Sequence, residues 1–235
     1  QSVAAVYRGL GHGRFTFEIG SYDASRPLII DPIMAYSSVF GGSQTDNSWG
    51  IAVDASGNIY ITGYTSWAPW TTLSMPAPTD LVFAFTGSAI FIIKLDPSGQ
   101  TVLYQTFITA FDTDPGGIAV DASGNTYVAG TASIWHALPS TPGAFQSGSS
   151  NQVTYVGFAL KLNASGSDLV YLTYLGGSSG WDSVYGMALD SSGRMWVTGG
   201  TRSSDFPVTP GSYRTTSSGI TAFVSAVAAD GKSLA

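Results

Sequence analysis

Gly50-Ile-Ala-Val-Asp54-Ala-Ser-Gly57-Asn58 returns as Gly117-Ile-Ala-Val-Asp121-Ala-Ser-Gly124-Asn125 and again as Gly186-Met-Ala-Leu-Asp190-Ser-Ser-Gly193-Arg194, at spacings of 67 and 69 residues. A fixed period of tens of residues marks a solenoid, a propeller or a linear array. Each copy is a short strand running into a tight hairpin. The aspartate can accept the backbone N–H two residues on, and the glycine supplies the positive φ that closes a type I turn with a bulge. Asp54, Gly57, Asp121, Gly124, Asp190 and Gly193 are therefore assigned to turn geometry rather than to ligand binding.

The period holds outward from the hairpin. Ile59-Tyr60-Ile-Thr-Gly63 matches Thr126-Tyr127-Val-Ala-Gly130 and Met195-Trp196-Val-Thr-Gly199, with the alternation and β-branching of a second strand. Phe91-Ile-Ile-Lys94-Leu matches Phe158-Ala-Leu-Lys161-Leu and Phe223-Val-Ser-Ala226-Val, a third strand leading to turns at Gly99, Gly166 and Gly231. Leu103-Tyr104-Gln-Thr-Phe107 and Val170-Tyr171-Leu-Thr-Tyr174 form a fourth, and Ala35-Tyr36-Ser-Ser-Val39 is an earlier copy of it. The expected fold is all-β: three four-stranded antiparallel propeller blades of about 67 residues, over 48–108, 115–175 and 184–235 of a propeller segment spanning 34–235. Radial stacking is how such units bury both faces. Residues 1–33 read as the end of a preceding β domain or as an N-terminal β extension. Three blades do not close a ring, so the segment is expected to belong to a larger propeller. The third blade would be completed by strand 35–39 or by a strand not in the sequence, and the ring by the rest of a longer parent protein or by a second copy.

Composition narrows the function. Only 10% of residues are charged, against roughly 25% in an average soluble domain, and there are 29 glycines. A net charge of −6 with a pI near 4.5 argues against nucleic acid and anionic membranes as partners, since both require a basic face. The absence of cysteine removes disulfides, thiolate catalysis and cysteine-ligated metals. The apolar runs, such as Ala89–Ile93, have strand length and fall far short of a membrane-spanning helix, so no direct membrane insertion is expected.

The repeated Gly-Ile-Ala-Val-Asp-x-x-Gly-Asn-x-Tyr-Val-Thr-Gly pattern resembles the bacterial SBBP-type (seven-bladed β-propeller) repeat. Tyr171-Leu-Thr-Tyr-Leu-Gly-Gly177, Asp205-Phe-Pro-Val-Thr-Pro-Gly211 and Thr141-Pro-Gly-Ala-Phe145 are similar to the linking motifs of that family. The resemblance covers roughly residues 32–235. It departs between Trp67 and Ala89 and at Ala226, which replaces the lysine of the third strand. The stretch Gly13–Asp23 is similar to the end of a β domain that often precedes such repeats in large secreted bacterial proteins. The resemblance implies a secreted, cell-surface or periplasmic setting.

Candidate ligand-binding residues are acids and tryptophans in the loops. Asp46 and Asp182 lie four residues before Gly50 and Gly186, and Asp112 and Asp114 bracket the equivalent place in the second repeat. If these acids converged at a channel mouth they could serve as paired catalytic carboxylates or hold a hard cation, and Asp46, Asp114 and Asp182 are the candidates for Ca²⁺. No other cofactor is expected. Trp49 and Trp181 are placed in blade-entrance loops, and Trp67, Trp70 and Trp135 in loops after the second strand. Exposed aromatic planes there could stack on sugars or anchor a protein. Trp196 aligns with Tyr60 and Tyr127 and is expected to pack between blades. His12 and His136 have no metal-ligand spacing, and Gly148 does not open a nucleophile elbow. The leading expectation is a non-catalytic structural or interaction module presenting propeller loops to a protein or glycan. A glycan-active hydrolase or lyase using acids at the channel mouth, and an accessory subunit of a larger membrane-associated assembly, are the alternatives.

Overall fold

The computed structural model describes residues 3, 5–11, 14–26, 36–68, 79–80, 87–109, 113–133, 138–148 and 154–235. Trp70, Asp112, Trp135, His12 and His136 lie outside the described residues. The chain divides into two compact units, Gln1–Ser38 and Val39–Ala235. The first contains an antiparallel hairpin of β1 (Ala5–Gly11) and β2 (Arg14–Ile19).

The second unit holds the repeats, and its described residues include no helix. In the first blade β3 (Asp46–Val53), β4 (Ile59–Ala68), β6 (Gly87–Leu95) and β7 (Val102–Thr109) form an antiparallel sheet, with the two-residue β5 (Thr79–Asp80) parallel to the outer edge of β7. The second blade is β8 (Asp114–Val120), β9 (Thr126–Ser133), β10 (Tyr155–Leu162) and β11 (Leu169–Leu175). The third is β12 (Asp182–Leu189), β13 (Met195–Thr201) and β14 (Thr221–Val227). Of the segment expected as an early fourth strand, residue 35 lies outside the described residues and residues 36–39 are not assigned to a strand; the adjoining Phe40 packs edge-on against Phe91 at a centroid distance of 6.0 Å.

Alternation decides which residues bind the blades together. Tyr60, Ile90, Ile92, Tyr104 and Ile108 on one face of the first blade pack with Val128, Phe158, Leu160 and Tyr174 of the second. Tyr127, Ala129, Tyr171 and Leu175 on the opposite face of the second pack with Val184, Met195, Val197 and Val227 of the third. Burying one such aliphatic or aromatic side chain stabilises by about 1.5–3 kcal/mol, so these two seams supply much of the cohesion. Trp196 holds the place of Tyr60 and Tyr127, which are 0% and 1% exposed, yet is itself 39% exposed. Among the described residues no sheet covers that face of the third blade.

The repeated turn is a carboxylate cage. Asp54 Oδ1 accepts the amides of Ser56 and Asn58, both at 2.9 Å, and Oδ2 accepts the Asn58 side chain at 2.7 Å and the Tyr60 hydroxyl at 3.0 Å. Asp121 repeats this with Ser123, Asn125 and Tyr127. Gly57, Gly124 and Gly193 have φ of 85°, 82° and 80°, the left-handed conformation the turn requires. Lys94 and Lys161 from the third strand lie over the Tyr60 and Tyr127 rings at 4.9 and 4.8 Å. Where Ala226 replaces that lysine, Arg194 of the turn supplies the cation, its Nε 2.7 Å from Asp190 Oδ2 and its guanidinium 5.7 Å from the Trp196 ring.

Burial pushes the Asp54 and Asp121 carboxyls up, but the donated hydrogen bonds outweigh it and hold both below the usual carboxylate range. Asp190 is held lower still, chiefly by the Ser192 hydroxyl and then the Trp196 indole. A carboxyl whose folded pKa is depressed stabilises the fold above its unfolded pKa of about 3.9, and that contribution is lost as pH falls through the folded value. Urea midpoints are therefore expected to fall steadily below about pH 4, and Asp121→Asn to lower the midpoint at pH 7 while flattening the acid limb. An acid limb unchanged in the variant would remove the cage from the account.

Candidate functional site: an aromatic cleft on the inner strands

β3, β8 and β12 lie side by side, with β8 between the other two. Each carries a β-bulge at the same place, because the register against the second strand slips between Ser48 and Gly50, between Pro115 and Gly117, and between Val184 and Gly186. The residues left over are Trp49, Gly116 and Tyr185. A bulge bends its strand and re-aims one side chain.

The sequence requires the bulge through the glycine that ends the second-strand motif. A Cβ on Gly63, Gly130 or Gly199 would run into the carbonyl oxygen of Asn47, Asp114 or Ser183, because the inner strand folds down onto the glycine just before its bulge. Gly116 has a different constraint. A Cβ there would come within 2.8 Å of the Val184 carbonyl oxygen, so the middle bulge lets the third blade's backbone approach and carries no side chain.

The result is a cleft of about 490 Å³ lined by Trp49, Asp114, Pro115, Gly116, Thr131, Tyr155, Ser183, Val184 and Tyr185. Trp49 and Tyr185 are 54% and 65% exposed, two aromatic side chains contributed by the strands on either side of a glycine. Below them Thr131 Oγ1, itself buried, accepts the Val184 amide at 3.1 Å and stitches the second blade to the third.

The acids separate by register. Counting from the bulge, Asp46 and Asp182 occupy the same position, opposite Thr65 and Thr201. Asp182 is fully buried, accepting the Gly177 amide at 2.8 Å, the Ser203 hydroxyl at 2.9 Å and the Thr201 hydroxyl. Asp46 accepts the Gly42 amide at 2.8 Å. Both thus hold the Gly-Gly loop that leads into their blade. In the second blade the buried Thr113 takes that place, and Asp114 stands one residue on, level with Asn47 and Ser183. One residue along a strand changes the face. Asp114 therefore lines the cleft, exposed, while Asp46 and Asp182 do not line it. Among the described residues no group of three or more His, Asp or Glu side chains comes together as a cation site would require.

The tryptophans also part company. Trp49 lies on β3 rather than in a loop, and Trp67 lies on β4 rather than after it. Trp181 precedes β12 and is half-buried; it packs over Gly200, with the Arg202 guanidinium 5.9 Å from its ring. The sequence reading thus has Trp49 and Asp114 in common with the cleft and misses Tyr185. The missing signal is positional: Trp49, Gly116 and Tyr185 each directly precede the first glycine of the repeated motif.

The hairpin, the bulge and the glycine opposite it are shared by the blades, and residues 36–66 contain the first copy of all three. Those residues match the family model described as SBBP, β-propeller repeat. The match falls on this segment alone, well under half of the chain. It spans β3 and most of β4, so it includes Trp49, the first aromatic wall of the cleft. No curated protein matches the chain. An SBBP β-propeller repeat is the kind of unit found in a structural or interaction module.

Proposed function

We propose that the chain is a non-catalytic interaction module whose inner-strand cleft binds carbohydrate. The observation that carries this is the pair of solvent-exposed aromatics, Trp49 and Tyr185, placed by equivalent bulges on either side of Gly116. Flat aromatic faces gain stabilisation against the C–H faces of sugar rings, and a glycine between them leaves room for a ring. Asp114, Thr131 and Ser183 line the same cleft with oxygen atoms suited to sugar hydroxyls. The chain's net charge of −6 favours a neutral ligand over an anionic one. An extracellular or cell-surface setting accompanies this proposal, supported by the resemblance of the repeats to those of large secreted proteins.

The test is titration of the 235-residue chain with cello-, xylo- and chito-oligosaccharides by calorimetry, alongside Trp49→Ala and Tyr185→Ala. Each substitution is expected to weaken binding about tenfold or more, or about 1.4 kcal/mol. Both side chains are exposed, so urea stability should change by less than about 0.5 kcal/mol. If no oligosaccharide binds, or both variants bind as the parent does, the cleft is not a sugar site.

A further inference from the structure

We propose, building on the carbohydrate reading of the inner-strand cleft, that its ligand is a cationic amino sugar. A glucosamine-type ring lies between Trp49 and Tyr185 and pairs its ammonium group with Asp114. The cleft is centred on β8, and the strands on either side of β8 carry its two aromatic walls. Tyr155, half-buried, adds a third aromatic ring to the lining. Of the nine lining residues only Asp114 bears a formal charge. Lys94, Lys161, Arg194 and Arg202 are each held over an aromatic ring elsewhere, that of Tyr60, Tyr127, Trp196 and Trp181 respectively, and none of them lines the cleft.

Three aromatic rings and one carboxylate are the surroundings that favour an alkylammonium group. The ring faces carry negative electrostatic potential and attract a cation, and the carboxylate accepts its N–H donors. A hydroxyl in the same place gains only an ordinary hydrogen bond, and an acetylated nitrogen gains no ion pair. A hard metal ion is poorly served, because it requires several oxygen ligands and aromatic faces supply none. A sulfated or carboxylated sugar would meet Asp114 as a like charge. The chain's net charge of −6 draws cations toward it.

Register places the charge where a stacked ring needs it. Asp114 precedes Gly116 by two residues on β8, about 6 Å along the strand, which is the reach from a ring over Gly116 to a substituent at its edge. At the same register the neighbouring strands hold Asn47 and Ser183, both neutral, so the carboxylate stands on the middle strand alone. The flat walls distinguish a sugar from a lysine side chain, which brings the same ammonium without a ring to fill the space over Gly116.

The test is calorimetric titration of the 235-residue chain with oligomers of equal length built from glucosamine, N-acetylglucosamine and glucose, at about pH 6, where the glucosamine amine is protonated. The glucosamine oligomer is expected to bind about tenfold or more tighter than either of the others, with the advantage shrinking as salt is raised. Asp114→Asn should abolish that preference and leave binding of the two neutral oligomers unchanged. The comparison among ligands leaves the protein untouched, so it stands even where the substitution disturbs the strand. Tetralysine, which has the charge without the ring, should not displace the glucosamine oligomer. Equal affinity for the three oligomers, a preference that survives in Asp114→Asn, or displacement by tetralysine would each overturn the amino-sugar assignment while the sugar site itself still binds. No binding of any oligomer would instead remove the sugar site, and the assignment with it.

Discussion

A Gly130→Val chain is expected to lose its cooperative unfolding transition, with a destabilisation of more than about 4 kcal/mol. The new Cβ would be driven into the Asp114 carbonyl oxygen, and it would lie 2.7 Å from Pro115 Cα and 3.0 Å from the Gly116 amide nitrogen. All three are backbone atoms of the bulged inner strand, so no rotamer change relieves the clash. Relief requires β8 to straighten, which would remove the bulge and pull Gly116 away from the third blade. Gly148 provides the control, because a Cβ there meets nothing within 4 Å. Gly148→Val should stay within about 0.5 kcal/mol of the parent. Urea denaturation followed by circular dichroism separates the two, and a Gly130→Val chain as stable as Gly148→Val would contradict the bulge as described.

Truncating Tyr171 should cost about 4 kcal/mol, while Tyr171→Phe should be neutral or slightly stabilising. The ring is 1% exposed, packed into the seam between the second and third blades and laid against the turn at Gly231. Its hydroxyl is buried and has no hydrogen-bond partner among the described residues. Removing an unsatisfied buried hydroxyl eliminates a desolvation cost and leaves the packing intact. Tyr104, at the same place in the first blade, behaves oppositely, because its hydroxyl lies 2.8 Å from Thr126 Oγ1. Tyr104→Phe should therefore cost about 1 kcal/mol. Thermal or urea unfolding of the three variants checks the ordering, and equal costs for the two phenylalanine variants would show that the hydroxyls do not differ.

The architecture was legible because each blade repeats a turn whose chemistry is local. Asp54, Gly57 and Tyr60 act within a few residues of one another, so their spacing in sequence is their geometry. The replacement of the third-strand lysine by Ala226 was also visible, although its compensation by Arg194 depends on a contact across the hairpin. The cleft was less legible because a bulge interrupts period-2 counting. Trp49 read as a loop residue before a strand, whereas it is the extra residue inside one. Tyr185 escaped for the same reason. Asp46, Asp114 and Asp182 look interchangeable by distance from the motif glycine to within a residue or so, but that one residue separates a loop-holding acid from one that lines the cleft. Aligning the blades on their bulges, rather than on their turns, brings Trp49, Gly116 and Tyr185 into one column.

The most direct test of the cleft is a ¹H–¹⁵N titration of the 235-residue chain with whichever of the cello-, xylo- or chito-oligosaccharides binds tightest. The cleft account predicts that the Trp49 indole resonance and the amides of residues 114–116, 131 and 183–185 move together along one saturation curve, while those of Trp181 and of the Asp54, Asp121 and Asp190 turns stay in place. Shifts centred on Trp181 or the outer loops, with Trp49 and Tyr185 unmoved, would contradict it.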